Sequence, residues 1–227
     1  MATDDVKVLG AWPSPFVNRV LMALKIKSVK YELIELNPHE KPEILLRNNP
    51  VHKKIPVLTH GDKPVCESLV IVQYIDDAWA TGPSILPSDP YNRALARFWV
   101  AYIDDKWYPL VKVLRETEGE EERREVIQKL SEGLVLLEEA FVSCSEGKDF
   151  FGGDSIGYLD IVLGSCLGWL RVTEIVLELE LLDQTKIPQL MKWADRFLSD
   201  DAVKDVLPET EKLLELYRKI QSFLKAA

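Results

Sequence analysis

Between Ala80 and Pro90 the chain carries three prolines, Pro83, Pro87 and Pro90, and one glycine, Gly82. Proline fixes φ and lacks an N–H, so neither a helix nor a strand continues through such a run. The break matters because the apolar pattern differs on its two sides, which predicts two parts built on different principles.

Before the break the pattern alternates in type. Val6 to Leu9 is a short apolar run that reads as a strand. Pro15 to Lys27 has apolar residues at 17, 20, 21 and 24, the spacing of one helix face. Tyr31 to Leu36 alternates as a second strand, and Lys41 to Asn48 is a short helix. Ile55 to Thr59 and Pro64 to Cys66 flank His60-Gly61-Asp62-Lys63 as a hairpin. Glu67 to Ala78 returns to helical spacing. The order β-α-β, α, β-β-α makes a small mixed sheet with helical cover. After the break five helical segments follow and no strand: Asn92 to Leu114, Glu120 to Val142, Gly157 to Leu179, Ile187 to Leu198 and Glu209 to Leu224. The third is strongly apolar and is expected to be the buried central helix. The predicted division is residues 1–79, a linker at 80–90, and an all-helical part at 91–227.

Of the 227 residues, 47% are hydrophobic and 29% charged, which suits a packed soluble protein. The formal net charge of -9 argues against nucleic acid as a partner. No apolar run reaches the ~18 residues of a bilayer span, and Met1 to Asp5 lacks the pattern of a secretory signal. Cys66, Cys144 and Cys166 form no CxxC, so reduced thiols in a cytoplasm are expected. His39, His52 and His60 have no metal-ligand spacing. Gly153-Asp154-Ser155-Ile156-Gly157 matches the hydrolase elbow GxSxG, but that chemistry needs a preceding strand and a later histidine, and every histidine lies upstream.

Three short segments can carry chemistry. Ser14-Pro15 has the form of a helix start, serine at N-cap and proline at the first helical position. A helix N-terminus offers unpaired N–H groups and partial positive charge. A thiolate placed there is stabilised, and thiol pKa values fall from about 8.5 to ~3.5–7.5 in such surroundings. Serine is too weak a base to take the thiol proton, so its role would be to donate a hydrogen bond to the anion. Lys54-Ile55-Pro56-Val57 puts proline at a strand start; a cis bond there would turn the Ile55 backbone outward toward a peptide-like ligand. Glu67-Ser68 opens a helix, where Ser68 and the helix end can hold a carboxylate and Glu67 an ammonium. Read singly, each of these is ordinary capping and strand-start chemistry.

Taken together, and followed by an all-helical part, they resemble the soluble glutathione transferases. Ser14-Pro15-Phe16 with Arg19, the run from Asn49 to Leu58, Glu67-Ser68-Leu69-Val70-Ile71 and Ala96-Arg97-Phe98-Trp99 are similar to the plant tau class, and the resemblance covers the whole chain. It implies an α+β thioredoxin-like first domain (βαβαββα), a cis Pro56, and glutathione as co-substrate with no other cofactor and no metal. It also implies how glutathione lies. Ser14 would contact the thiol, the Ile55 backbone the cysteinyl unit, Glu67 and Ser68 the γ-glutamyl end, and Lys41 and Lys54 the glycine carboxylate. Lys41 on its own reads equally as a solvated surface charge. Phe16, Tyr108 and Trp169 are nominated for the electrophile, with Trp107 and Tyr217 behind them; aromatics at helical spacing also serve as core. One position departs from the family, where a Ser or Thr caps the central helix three residues before an Asp: here Gly157 precedes Asp160. That change should touch the folding of the helix and not the chemistry.

The implied activity is conjugation of glutathione to hydrophobic electrophiles in detoxification, with hydroperoxide reduction as a side activity, in a cytoplasmic two-fold homodimer. The alternative is a carrier of apolar ligands with little turnover. A thiol-transferase or dehydroascorbate reductase would need cysteine where Ser14 stands.

Overall fold

The computed structural model describes residues 5–37, 40–80 and 82–226, so His39 and the first four residues lie outside the described part. The described residues form two compact units. One comprises Met1–Leu86 together with Asp201–Val206, the other Pro87–Asp200 with Leu207–Ala227.

The first unit holds a four-stranded sheet in the order β2-β1-β3-β4, built from β1 (Val6–Gly10), β2 (Glu32–Glu35), β3 (Val57–His60) and β4 (Lys63–Cys66). β1 pairs parallel with β2 through the crossover helix α1 (Pro15–Ile26), and antiparallel with β3. β3 and β4 form the hairpin, with Gly61 at φ 62 in its turn, a conformation glycine adopts without steric cost. On one sheet face Leu9 and Val57 pack with Leu45 of α2 (Glu43–Asn48), and Ile34, Ile44, Ile55 and Cys66 close round them. α1 packs against α3 (Ser68–Ala78), each presenting an apolar stripe: Val17, Val20, Leu21 and Leu24 from one, Ile71, Val72 and Ile75 from the other. This is the thioredoxin-like arrangement that the β-α-β, α, β-β-α order implied.

A buried ion pair fastens the chain beyond α3. Lys27 Nζ lies 2.8 Å from Asp76 Oδ1, both side chains almost fully enclosed, and donates to the Pro83 carbonyl at 3.1 Å. Asp76 also accepts from the Ile85 and Leu86 N–H groups, each at 2.9 Å. From Pro83 to Leu86 the proline-rich break is therefore an ordered strap. Asp201–Val206 belongs to this unit too, and Asp205 pairs with Lys25 at 2.7 Å.

The second unit is all helical: α4 (Pro90–Tyr102), α5 (Tyr108–Glu116), α6 (Glu120–Ser145), α7 (Tyr158–Leu177), α8 (Pro188–Ser199) and α9 (Thr210–Ala226). The expected single helix from Asn92 to Leu114 is α4 and α5 joined by a π turn, Ile103–Trp107. Its cause is local. Pro109 has no N–H to continue the regular ladder, and the Tyr108 N–H reaches back five residues to the Ile103 carbonyl. α7 is the buried central helix, as its composition required. A Cβ on Gly164 would stand 2.1 Å from the Phe197 ring, so the absent side chain is what lets α7 and α8 approach.

Asp160 organises the start of α7. Its carboxylate accepts from the N–H groups of Phe151, Gly152 and Gly157 at 2.8–2.9 Å and from Trp193 Nε1 at 2.7 Å. Burial lifts its pKa to about 6 while the four donors pull the other way, and at pH 7 it is the anion. With glycine at the cap, the aspartate alone supplies the capping side chain. GxSxG from Gly153 to Gly157 lies in the turn leading to this helix, with only an isolated bridge between Phe150 and Gly153 before it.

Candidate active site

The register brings the three sequence segments to one end of the sheet. Leu9, near the end of β1, lies opposite Val57 at the start of β3, and Val57 lies opposite Cys66 at the end of β4. The chain leaving β1 runs to Ser14, the chain entering β3 is Ile55-Pro56, and the chain leaving β4 is Glu67-Ser68. Segments far apart in sequence thus converge because antiparallel pairing puts the end of one strand beside the start of the next.

At the first of these ends Ser14 is the N-cap of α1. Its backbone is extended (φ -81°, ψ 116°), its N–H donates to the Ala11 carbonyl at 3.0 Å, and its own carbonyl accepts from Asn18. The hydroxyl accepts from the Val17 N–H at 3.4 Å, long for such a bond, and the side chain is half-buried. A serine oxygen that accepts one N–H still has its own proton to donate. The site therefore offers an O–H donor at the positive end of a twelve-residue helix.

The second end carries the Ile55–Pro56 bond, which is cis. Asn49 holds the approach to it: its side-chain amide donates to the Lys54 carbonyl at 2.9 Å, and its oxygen accepts from the His52 N–H at 3.0 Å. Ile55 is half-buried and Lys54 exposed. Lys41, just before α2, is also exposed, and neither lysine forms an ion pair among the described residues. Sequence reasoning did not single out Asn49 as a support; the Asn49-Pro50 turn signal was there to be used.

At the third end Glu67 has φ 70° and ψ 118°, a region that costs a non-glycine residue on the order of 1–3 kcal/mol. The exposed Glu67 side chain has His52 Nε2 at 3.7 Å, while Ser68 turns inward and is 7% exposed. The Ser68 hydroxyl accepts from Arg19 Nη1 at 3.4 Å. Arg19 is fully buried, and its guanidinium lies 4.8 Å from the centroid of the Phe16 ring. Arg19 thus ties α1 to the start of α3. In the sequence Arg19 reads only as a motif residue, because its depth depends on tertiary packing.

Of the aromatics nominated for an electrophile, Phe16 is 38% exposed on the first unit. Tyr108 follows the π turn, and Trp169 lies on α7; both are half-buried. Trp107 is core: it is 1% exposed, donates its indole N–H to the Leu130 carbonyl at 3.1 Å and packs on Gly133. That removes it from the candidates.

Comparison with known proteins points one way. The family model of the glutathione S-transferase N-terminal domain matches residues 4–77, and that of the C-terminal domain residues 95–201. Glutathione S-transferase U17 of Arabidopsis thaliana is 58% identical over 97% of each chain, and U18 of the same plant is 55% identical over the same share. A tau class glutathione S-transferase from mango, Mangifera indica, superposes with a TM-score of 0.93 at 57% identity, covering 96% of this chain and 99% of that one. A rice glutathione transferase solved in complex with glutathione gives 0.86 at 34% identity over 96% of each.

Proposed function

The chain belongs to the tau class of the glutathione S-transferases, and from that premise we propose that Ser14 activates the glutathione thiol for attack on hydrophobic electrophiles. That the chain is a glutathione transferase follows from its membership; which residues act, and on what, is our reading. The observation that carries it is the convergence of Ser14, Ile55-Pro56 and Glu67-Ser68 at one end of the sheet.

The mechanism follows from charge. The α1 terminus and the Ser14 O–H both favour a sulfur anion, so the thiol gives its proton to solvent near neutral pH. With an activated aryl chloride, the thiolate forms a C–S bond at the chlorine-bearing carbon, and chloride then leaves with the bonding pair. Glu67 faces the ammonium of the γ-glutamyl end and Ser68 its carboxylate. Lys41 and Lys54 face the glycine carboxylate, a contact that contributes little at an exposed surface. Phe16, Tyr108 and Trp169 supply apolar surface for the electrophile. Reduction of organic hydroperoxides uses the same thiolate. A cytoplasmic location and a two-fold homodimer belong to the same proposal; Tyr91 and Phe98, 70% and 61% exposed on α4, support the dimer. No described helix is long and apolar enough to cross a membrane. A carrier role without turnover has no particular observation in its favour.

The test is the pH–rate profile with an aryl chloride. Replacing Ser14 by alanine should move the acid limb to higher pH and lower kcat/KM. A profile that stays where it was refutes the role given to Ser14.

A further inference from the structure

The helical unit holds a cation whose surroundings the activity described above leaves unexplained. Arg115, on α5, points its Nη1 at α7, donating to the Thr173 hydroxyl at 2.7 Å and to the Trp169 carbonyl at 3.5 Å. Its guanidinium carbon sits 5.3 Å from the centroid of the Trp169 ring. The Thr173 hydroxyl in turn donates to the Trp169 carbonyl at 2.7 Å, so threonine and tryptophan form one rigid support. Among the described residues no carboxylate lies within ion-pair distance of Arg115, and its Nε and Nη2 make no hydrogen bond. Its neighbour Glu116 is exposed and paired with Lys112 at 3.6 Å.

Burial pushes the Arg115 guanidinium below its ordinary value, and Tyr108, Tyr217 and Glu116 lie near enough to raise it again. Arginine nonetheless stays charged. A half-buried cation without an acid has lost water and gained only a neutral hydrogen bond and a ring face. Bridging α5 to α7 occupies Nη1 alone. Three N–H groups remain, and the edge formed by Nε and Nη2 is a planar fork that matches a carboxylate, beside an indole and two phenols. A few polar groups set in an apolar wall are how a small-molecule site fixes orientation.

We propose that Arg115, with Trp169, Tyr108 and Tyr217, makes the electrophile site selective for aromatic electrophiles that carry a carboxylate remote from the reacting carbon. The proposal rests on the reading that Tyr108 and Trp169 belong to that site. The ring stacks among the aromatics, and the carboxylate accepts from Nε and Nη2, supplying the missing acid.

Benzyl isothiocyanate and its ring 4-carboxylate separate this from a structural arginine. In both, the thiolate forms a C–S bond at the central carbon, and the C=N π pair moves to nitrogen, which takes a proton from water; nothing leaves. The measured quantity is the ratio of kcat/KM for the carboxylate to that for the parent, at saturating glutathione. In Arg115→Met the ratio should fall about tenfold or more, the loss expected for a hydrogen bond to a charged group. Arg115→Lys should lose less. Lys129→Met, on the exposed face of α6, should keep the wild-type ratio. Added salt should lower the ratio in the wild type and not in the methionine variant. Equal ratios in wild type and Arg115→Met overturn the proposal, even if the variant melts at lower temperature. Should the methionine variant fail to fold, the lysine variant and the wild-type salt series decide the matter in the same way. Ser14→Ala should slow both substrates and leave the ratio alone, so failure of the thiolate reading shows separately. If neither compound turns over, calorimetry with S-benzylglutathione and S-(4-carboxybenzyl)glutathione replaces kinetics: an Arg115-dependent preference for the second supports the site, and no preference refutes it.

Discussion

The starts of α1 and α7 solve the same problem in opposite ways. At α7 the Asp160 carboxylate accepts four N–H groups, all at 2.9 Å or less, and is wholly enclosed. At α1 the Ser14 hydroxyl accepts one, at 3.4 Å, and stays half-open. A cap with every lone pair taken can only hold structure; one with a loose partner and a proton to donate can still take a ligand. The start of α3 belongs with α1, since Glu67 holds an unfavourable backbone and makes no side-chain cap bond.

The largest expected effect lies at the closed cap. Asp160→Ala leaves the buried donors of Phe151, Gly157 and Trp193 unmatched, each worth about 1–3 kcal/mol, so the helical unit should lose more than ~3 kcal/mol in denaturant unfolding. A loss under 1 kcal/mol would erase the contrast. Asp76 tests whether commitment goes with the unit or with the hydrogen bonding, since it sits in the sheet unit yet is fully engaged. Asp76→Asn should cost about 3–5 kcal/mol by leaving Lys27 buried without its acid. Burial pulls the Asp76 carboxyl up, but Ile85, Lys27 and Leu86 outweigh it and hold it below its ordinary value. The folded state therefore binds the proton less readily than the unfolded one. The stabilisation is complete above about pH 3.9 and disappears as pH falls through the lower folded value. Melting curves from pH 6 to 3 should show that acid loss in the wild type and not in Asp76→Asn.

At the open cap the expectation reverses. Ser14→Ala should change stability by about 0.5 kcal/mol, the low end for a lost N-cap. It should lower kcat/KM by roughly a hundredfold, the scale of a donor aimed at a reacting anion. A large loss of stability with full activity would place Ser14 with Asp160 instead. The smallest effect is at Glu67. Replacement by glycine, which tolerates φ 70°, should raise the melting point by a few degrees, about 1 kcal/mol, while raising KM for glutathione. A lower melting point would remove the strain argument.

The asymmetry between the caps was partly legible beforehand. Ser14-Pro15 announces a helix start by composition, and the change of periodicity across the proline strap separated sheet from helices. Gly157 and Asp160 announced a weaker cap, because the N–H groups of Phe151 and Gly152 and the indole of Trp193 reach the carboxylate only through tertiary folding. The same limit hid Arg19, whose depth depends on α3 packing against α1. The π turn escaped because a single extra residue barely shifts a helical period, although Pro109 marked the place. Trp107 stood as a weaker electrophile candidate because nothing local tells of Gly133 and the Leu130 carbonyl that make it core.

Asp201–Val206 packs as part of the sheet unit, with Val203 fully enclosed and Asp205 against Lys25. No single cut of the gene can therefore release that unit whole. On the ribosome its last piece emerges only after nearly all the helices have been made, so a nascent chain halted at Leu86 would carry an unfinished binding domain. Supplying the missing hexapeptide in trans, or grafting it by a short loop, is what an engineer would need to do to make that domain stand alone.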